Sequence, residues 1–234
     1  MKNLVLIAGV SGAGKSYLEP ALQNIGFIKG VTSTTRPMRI GEIDGVHYNF
    51  KTDEDFLVGL EKGEYIESAE VNGSRYGMLE GDLSALCSSN PVVYMILDPQ
   101  GVKRYQDYFN GKSDWSVKTV FLNCPLELRL QRIADRVNET ATDKQLYEVA
   151  KRLIQTRDFE EYWKDMVTAE VYIHVSKNAK DIEDAVVAIS EAVKQKTGSA
   201  VMFATREPLP FTLPTHAIEL EMEKLKKGLV KSLD

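Results

Sequence analysis

Residues Leu4–Ser16 read LVLIAGVSGAGKS, and this stretch constrains the fold more than any other part of the chain. Leu4–Ala8 is a short unbroken apolar run, as expected of a strand buried on both faces of a parallel sheet. The loop Gly9-Val10-Ser11-Gly12-Ala13-Gly14-Lys15-Ser16 fits G-x-x-x-x-G-K-[ST], and a helical pattern follows from Lys15 to about Asn24. Glycines let the backbone wrap closely, so that successive N–H groups and the helix N-terminus face an anion. Lys15 can reach terminal phosphates and the Ser16 hydroxyl can ligate Mg²⁺. A chance match to the loop pattern in a chain of this length is on the order of 1%. Gly9, Ser11, Gly12, Ala13, Gly14, Lys15, Ser16 and Tyr17 are therefore the expected set for binding a nucleoside triphosphate, with Ser16 as the metal contact.

Further apolar runs at Val92–Leu97, Val117–Leu122 and Val171–Val175 alternate with helical patterns at Gln100–Phe109, Leu126–Arg136, Lys144–Trp163 and Ile182–Lys196. Strands alternating with helices predict an α/β chain with a largely parallel sheet. Residues 31–80 break the rhythm: they are rich in Thr, Gly, Arg and Tyr, with short alternating pieces at Val46–Phe50 and Tyr65–Val71. The expected organisation is a core of residues 1–30 and 81–196, a small, partly β insertion at 31–80, a proline-rich spacer at 197–215 and a terminal helix at 216–234. Ile218, Met222, Leu225 and Leu229 give that last helix a short heptad-like seam, suited to packing on its own domain or to a homodimer contact.

The bulk composition narrows the partners. Net charge is −5 over 234 residues, and the pI is about 5.4. A general nucleic-acid binder would carry a basic excess or stripe, so no nucleic-acid partner is expected. No apolar stretch approaches the roughly 18 residues a spanning helix needs. The run Leu4–Ala8 is too short for a secretory leader. Cys87 and Cys124 follow no metal or redox spacing and read as buried reduced thiols; His47, His174 and His216 are too scattered for a metal site. These features predict a soluble cytoplasmic protein with no membrane partner.

A second cationic cluster separates the kinds of chain that carry such a loop. Arg36 and Arg39, with Thr34, Thr35, Tyr48 and Tyr76 nearby in sequence, offer guanidinium forks and hydroxyls to another phosphate. On composition alone they equally suit two exposed arginines on a turn made by Pro37. If both clusters bind phosphate, one holds a donor and the other an acceptor.

The stretch TSTTRPMRIGEIDGVHYNF at 32–50 resembles the guanylate kinase signature S-x-T-T-R-x-P-R-x-G-E-x-x-G-x-x-Y-x-F. The resemblance continues through Tyr65-Ile66-Glu67, Arg75-Tyr76-Gly77 and Asp98-Pro99-Gln100-Gly101, and covers about residues 1–196. It implies a P-loop core with a parallel sheet flanked by helices, a nucleoside-monophosphate-binding insertion, a helical lid at about 126–156 and a C-terminal helical extension. It also implies ATP and Mg²⁺ as cofactors and small nucleotides as partners. Arg36, Arg39, Tyr48 and Tyr76 would hold the acceptor phosphate. Glu67 would accept from guanine N1–H and N2–H₂ with Asp98 assisting, and Thr32 or Ser33 would send a hydroxyl toward O6. Lys15, Arg132, Arg136 and Arg152 would neutralise the transferring group. Arg129, Arg132 and Arg136 recur at i, i+3 and i+7, a spacing expected to share one helix face.

Two positions depart from the pattern. Met78 stands where the family has Ser or Thr, and a thioether is no strong donor to O6. Ile96 stands where the family has an acidic residue that supports the metal's water shell. The leading expectation is an ATP-dependent kinase of GMP or dGMP. A kinase with another acceptor (a different or modified deoxynucleotide, or ribose 1,5-bisphosphate) and a non-catalytic binding module are the alternatives.

Overall fold

The computed structural model describes residues 1–71, 73–137, 141–158, 160–176, 180–194 and 215–227. In chain order, β1 (Lys2–Gly9) leads to α1 (Lys15–Asn24), followed by β2 (Ile28–Lys29), β3 (Ser33–Thr34), β4 (Asn49–Phe50), α2 (Asp53–Glu61), β5 (Tyr65–Val71) and β6 (Ser74–Leu79). Then come α3 (Glu80–Ser89), β7 (Val93–Ile96), α4 (Pro99–Phe109), β8 (Trp115–Asn123), α5 (Leu126–Ala134) and α6 (Asp143–Asp158). A 3-10 turn (Glu160–Tyr162), α7 (Trp163–Met166), β9 (Val171–His174), α8 (Lys180–Lys194) and α9 (Thr215–Lys226) complete the order. The central sheet runs β2-β7-β1-β8-β9, with parallel pairing at β2–β7 and β8–β9. The α/β class follows as expected, and the apolar run Leu4–Ala8 is wholly buried.

Two compact units divide the chain, Met1–Leu6 with Leu22–Lys118 and Ile7–Ala21 with Thr119–Asp234. The first contains a four-stranded sheet ordered β4-β3-β6-β5, in which β6 is antiparallel to both β3 and β5. Glu67 pairs directly with Met78, just past an irregularity between Tyr65 and Glu67. Two helices of this unit, α2 and α3, are absent from the sequence expectations. The start of α2 is well specified nonetheless. Thr52 caps it by accepting from Asp55 N–H at 3.1 Å, and Asp53, Glu54 and Asp55 place negative charge at its N-terminus. At α4 the Asp98 carboxylate is the cap, accepting from Gly101 N–H at 2.6 Å, with Pro99 opening the first turn.

The second unit carries the glycine loop and a helical group built from α5, α6 and α9. Gly9 has no room for a side chain: a Cβ there would lie 2.6 Å from the Leu122 carbonyl oxygen. Ile133, Ala134, Leu146, Ala150, Leu153 and Ile154 form a buried cluster with Ile218 and Leu225 of α9. Burial of each of those two α9 side chains contributes about 1.5–3 kcal/mol. Lys226 pairs with Asp143 at 2.7 Å, and Arg157 with Glu221 at 3.6 Å. The described part of the terminal seam thus finds its partner on the chain's own α5 and α6. Leu229, residues 197–214 of the spacer and the lid-tip residues 138–140 lie outside the described residues.

Helix boundaries differ from expectation in two places. The reading that puts Arg136 on one helix face with Arg129 and Arg132 is corrected: α5 stops at Ala134, with Asp135 as its C-cap. The chain tightens there, Arg136 N–H donating to Ile133 O and Val137 N–H to Ala134 O, so Arg136 lies past the helix. The single helix expected over Lys144–Trp163 is divided into α6, the 3-10 turn and α7. Among the described residues, no helix is long and apolar enough to cross a membrane.

Candidate active site

The donor cradle lies within the second unit. Gly12 and Gly14 have φ of 78° and 96°, values that L side chains rarely adopt. A Cβ at Gly12 would also meet the Arg129 backbone at 3.0 Å. Ala13 N–H closes onto Val10 O at 3.2 Å, and Tyr17 N–H onto Gly14 O at 2.9 Å. The Ser16 and Tyr17 side chains are exposed at the start of α1. Lys15 Nζ donates to Gly9 O at 2.6 Å and to Val10 O at 3.0 Å, so the loop's own carbonyls hold the ammonium.

Charges from outside the motif surround this loop. Ser11 donates to the Glu160 carboxylate through both its N–H and its hydroxyl, each at 2.6 Å, and its Oγ accepts from Arg152 Nε at 3.1 Å. Glu160 and Arg129, 1% and 3% exposed, stand 3.5 Å apart as a buried ion pair. Arg132 donates to Gly12 O at 2.9 Å and to Ser176 O at 2.8 Å, tying the loop to the chain just after β9. Burial pushes the Lys15 ammonium down to about 8; Glu160 opposes that shift, while Arg152, Arg136 and Arg129 reinforce it. The cradle is thus a concentration of cations around one buried carboxylate.

The acceptor-side residues lie in the first unit. Arg36 Nη2 pairs with Glu42 at 2.7 Å, its Nη1 donates to Pro37 O at 2.7 Å, and its guanidinium lies 5.4 Å from the Tyr48 ring centre. Tyr48 meets Tyr76 edge-on at 5.8 Å. The Glu42 hydrogen bond is the main influence raising the Arg36 pKa, with Tyr76 adding to it. Arg39 has an exposed side chain, while its N–H donates to Glu42 at 2.7 Å. Glu42 therefore sets the turn that carries both arginines.

Thr32 and Ser33 sit on the same sheet, Thr32 O accepting from Asn49 N–H at 3.0 Å and Ser33 being 1% exposed. Glu67 is 13% exposed, and its carboxylate lies 3.9 Å from Arg104. Burial raises its pKa first of all; Arg104 pulls it down and Asp98 pushes it up. Asp98 is exposed and anchored as the cap of α4.

A guanylate kinase family model matches residues 1–196. The chain belongs to the guanylate kinase family. A guanylate kinase from Helicobacter hepaticus is 30% identical over 195 residues, covering 82% of this chain and 90% of that one. One from Helicobacter pylori is 38% identical over 103 residues, so this chain spans about half of that relative, 49% of its length. The crystal structure of guanylate kinase from Anaplasma phagocytophilum shares the fold, with a TM-score of 0.52 and 23% identity over 82% of this chain and 85% of that one.

Membership in the guanylate kinase family leaves two neighbours of the site unexplained by motif. Glu160 gives no sequence signal, since Glu161 beside it reads the same. Arg104 is a surface-like charge until the fold sets it beside Glu67, and Glu42, although part of the signature, shows its pairing with Arg36 only in the fold. The donor set fits a metal held chiefly by phosphate oxygens: Ser16 offers a hydroxyl, and among the described residues no group of three or more His, Cys, Asp or Glu side chains could chelate one alone.

Proposed function

We propose that the chain transfers the terminal phosphoryl group of ATP to GMP or dGMP. The observation that carries this reading is that the first unit holds both a phosphate-type cluster (Arg36, Tyr48, Tyr76) and, on β5, a largely buried carboxylate, Glu67, able to read a purine with two adjacent N–H donors. Adenine lacks both donors and would leave Glu67 desolvated and unpaired, a strong basis for discrimination.

The acceptor phosphate is itself an anion near neutral pH, so no general base is required. Lys15, with Arg132, Arg136 and Arg152, neutralises charge on the transferring group; positioning and charge account for the rate. Mg²⁺, bound through the Ser16 hydroxyl, would screen the phosphate oxygens. Closure of the helices carrying the arginines excludes water that would otherwise accept the phosphoryl group. Lys15 and Ser16 in an intact glycine cradle favour this reading over a non-catalytic binding module. Action in the cytoplasm on free nucleotides belongs to the same proposal.

The test follows ADP release from Mg·ATP with GMP, dGMP, AMP, dTMP or ribose 1,5-bisphosphate as acceptor, beside Lys15→Ala. The expected result is turnover with GMP and dGMP that is lost in the variant. Turnover with a different acceptor alone would move the function there, and silence with all of them in a folded, ATP-binding protein would overturn it.

A further inference from the structure

Glu67 can account for only part of a guanine edge. That edge presents a 2-amino donor, the N1–H donor and then the 6-oxo acceptor. A carboxylate takes the two donors and repels the third group, which needs an N–H or O–H of its own once buried. The neighbours of Glu67 can be examined one by one for that donor.

Met78 pairs with Glu67 across β5–β6 and is 1% exposed. Direct cross-strand partners share a face of the sheet, so the neighbour on that side is a thioether. Asp98 is a second carboxylate and caps α4. Tyr105, next along α4, is wholly buried at 0% exposure, its ring packed 6.3 Å from that of Phe109. Arg104 remains. Its side chain is 49% exposed, with Nη1 3.9 Å from Glu67 Oε2, close enough for a shared ligand and loose enough to turn toward one. Its planar fork also offers several N–H groups on one side.

We propose that Arg104 is a specificity-determining residue that donates to the 6-oxo group of the acceptor base while Glu67 accepts from the two donors beside it. This rests on the guanine reading above. Before the base arrives, the same guanidinium opposes the rise that burial and Asp98 impose on the Glu67 pKa. A 6-amino purine would then meet Glu67 with no N1–H and Arg104 with a second donor. Loss of the family's hydroxyl at Met78 is offset by a cation on the neighbouring helix.

The experiment measures KM and kcat for GMP and for its 6-thio analogue, whose sulfur is a weak acceptor, in the full chain and in Arg104→Ala, Arg104→Lys and Arg104→Ala/Met78→Ser. The expected result is that Arg104→Ala raises KM for GMP by roughly ten- to a hundredfold, with kcat changed far less. The preference for GMP over the 6-thio analogue should collapse in that variant. Arg104→Lys should restore part of the GMP affinity, and the added Met78→Ser should restore part by returning a hydroxyl. An unchanged KM for GMP in Arg104→Ala would overturn the proposal. So would an equal loss for both analogues, which would make Arg104 only a holder of Glu67. Should Arg104→Ala fail to fold, the same preference measured in Arg104→Lys decides. Silence of the unmodified chain with GMP would overturn the function itself, and it is seen before any variant is made.

Discussion

The glycine cradle and the four-stranded sheet are shaped in opposite ways. In the cradle the backbone does most of the shaping. Positive-φ glycines and carbonyl contacts fix a tight loop, and Lys15 is folded onto Gly9 and Val10. Charges from distant segments are then packed around it, with Glu160 and Arg129 almost wholly buried. On the acceptor side, opposed side chains do the shaping: Glu42 holds Arg36, and Arg104 faces Glu67. Those pairs are more exposed than the one beneath the cradle. One site is shaped by its backbone and crowded with cations, and the other is balanced by paired side chains. Their mutations should therefore fail in different ways.

The largest break is expected beneath the cradle. Glu160→Ala leaves Arg129 buried without its carboxylate and removes both acceptors from Ser11, so stability should fall by about 3–5 kcal/mol. Thermal unfolding with and without ATP measures this; a melting temperature near that of the unmodified chain would show that the pair does not brace the loop. Next comes Lys15→Ala, which spares the fold and should lower kcat on the order of 10²–10³-fold. Together they separate the charge that holds the cradle from the charge that works in it.

A third substitution probes the helices that carry the arginines. Leu225→Ala opens a cavity in the cluster joining α9 to α5 and α6, at a cost of about 2–5 kcal/mol. ATP turnover should fall along with stability if α9 braces those helices, and proteolysis across α6 should quicken. Substitution on the acceptor side should act mainly on binding. Glu67→Gln is expected to raise the acceptor KM on the order of tenfold or more while leaving the melting temperature nearly unchanged.

The two sites also differ in how pH should reach them. Protonated Lys15 favours polyphosphate, and its value in the open site is lowered to about 8. ATP affinity is then full below that pH and declines as pH rises through it, because the bound phosphates must first raise the lysine again. Glu67 shifts the other way, with burial raising its pKa. Acceptor affinity should fall as pH drops, beginning above the ordinary carboxylate range. Steady-state profiles with each substrate varied in turn would separate the two limbs, and a flat ATP profile between pH 7 and 9 would contradict the buried-lysine account.

The same contrast explains what could be read from the chain alone. The cradle is contiguous, so glycine conformation, lysine and helix start were legible at Gly9–Ser16 before any contact was known. The strands Leu4–Ala8 and Tyr65–Val71 announced themselves by apolar runs and alternation. The helix α2 lies in an insertion whose Thr-, Gly-, Arg- and Tyr-rich composition reads as partly β, although Thr52 and three acidic residues spell out its cap. Arg136 was misplaced because a spacing of seven implies a shared face only while the helix continues, and Asp135 ends it. Glu160, Arg104 and the partner of the terminal seam depend on contacts across many residues, and local pattern carries no record of those.

One property of the cradle reaches beyond catalysis. Lys15, Arg129, Arg132, Arg136 and Arg152 gather in a unit where Glu160 is the buried counter-charge. With no nucleotide bound, such an arrangement carries a self-repulsion that the fold has to bear. On the proposed function, a polyanion would serve there as a counterion as well as a substrate. Sulfate or tripolyphosphate, which cannot be turned over as nucleotides, should raise the melting temperature of this unit with concentration, as any ligand selective for the folded state must. Monovalent salt at equal ionic strength should do less, since it screens the repulsion without filling the cradle. On the proposed function, nucleotide would then add to the stability of the unit as well as serve its turnover.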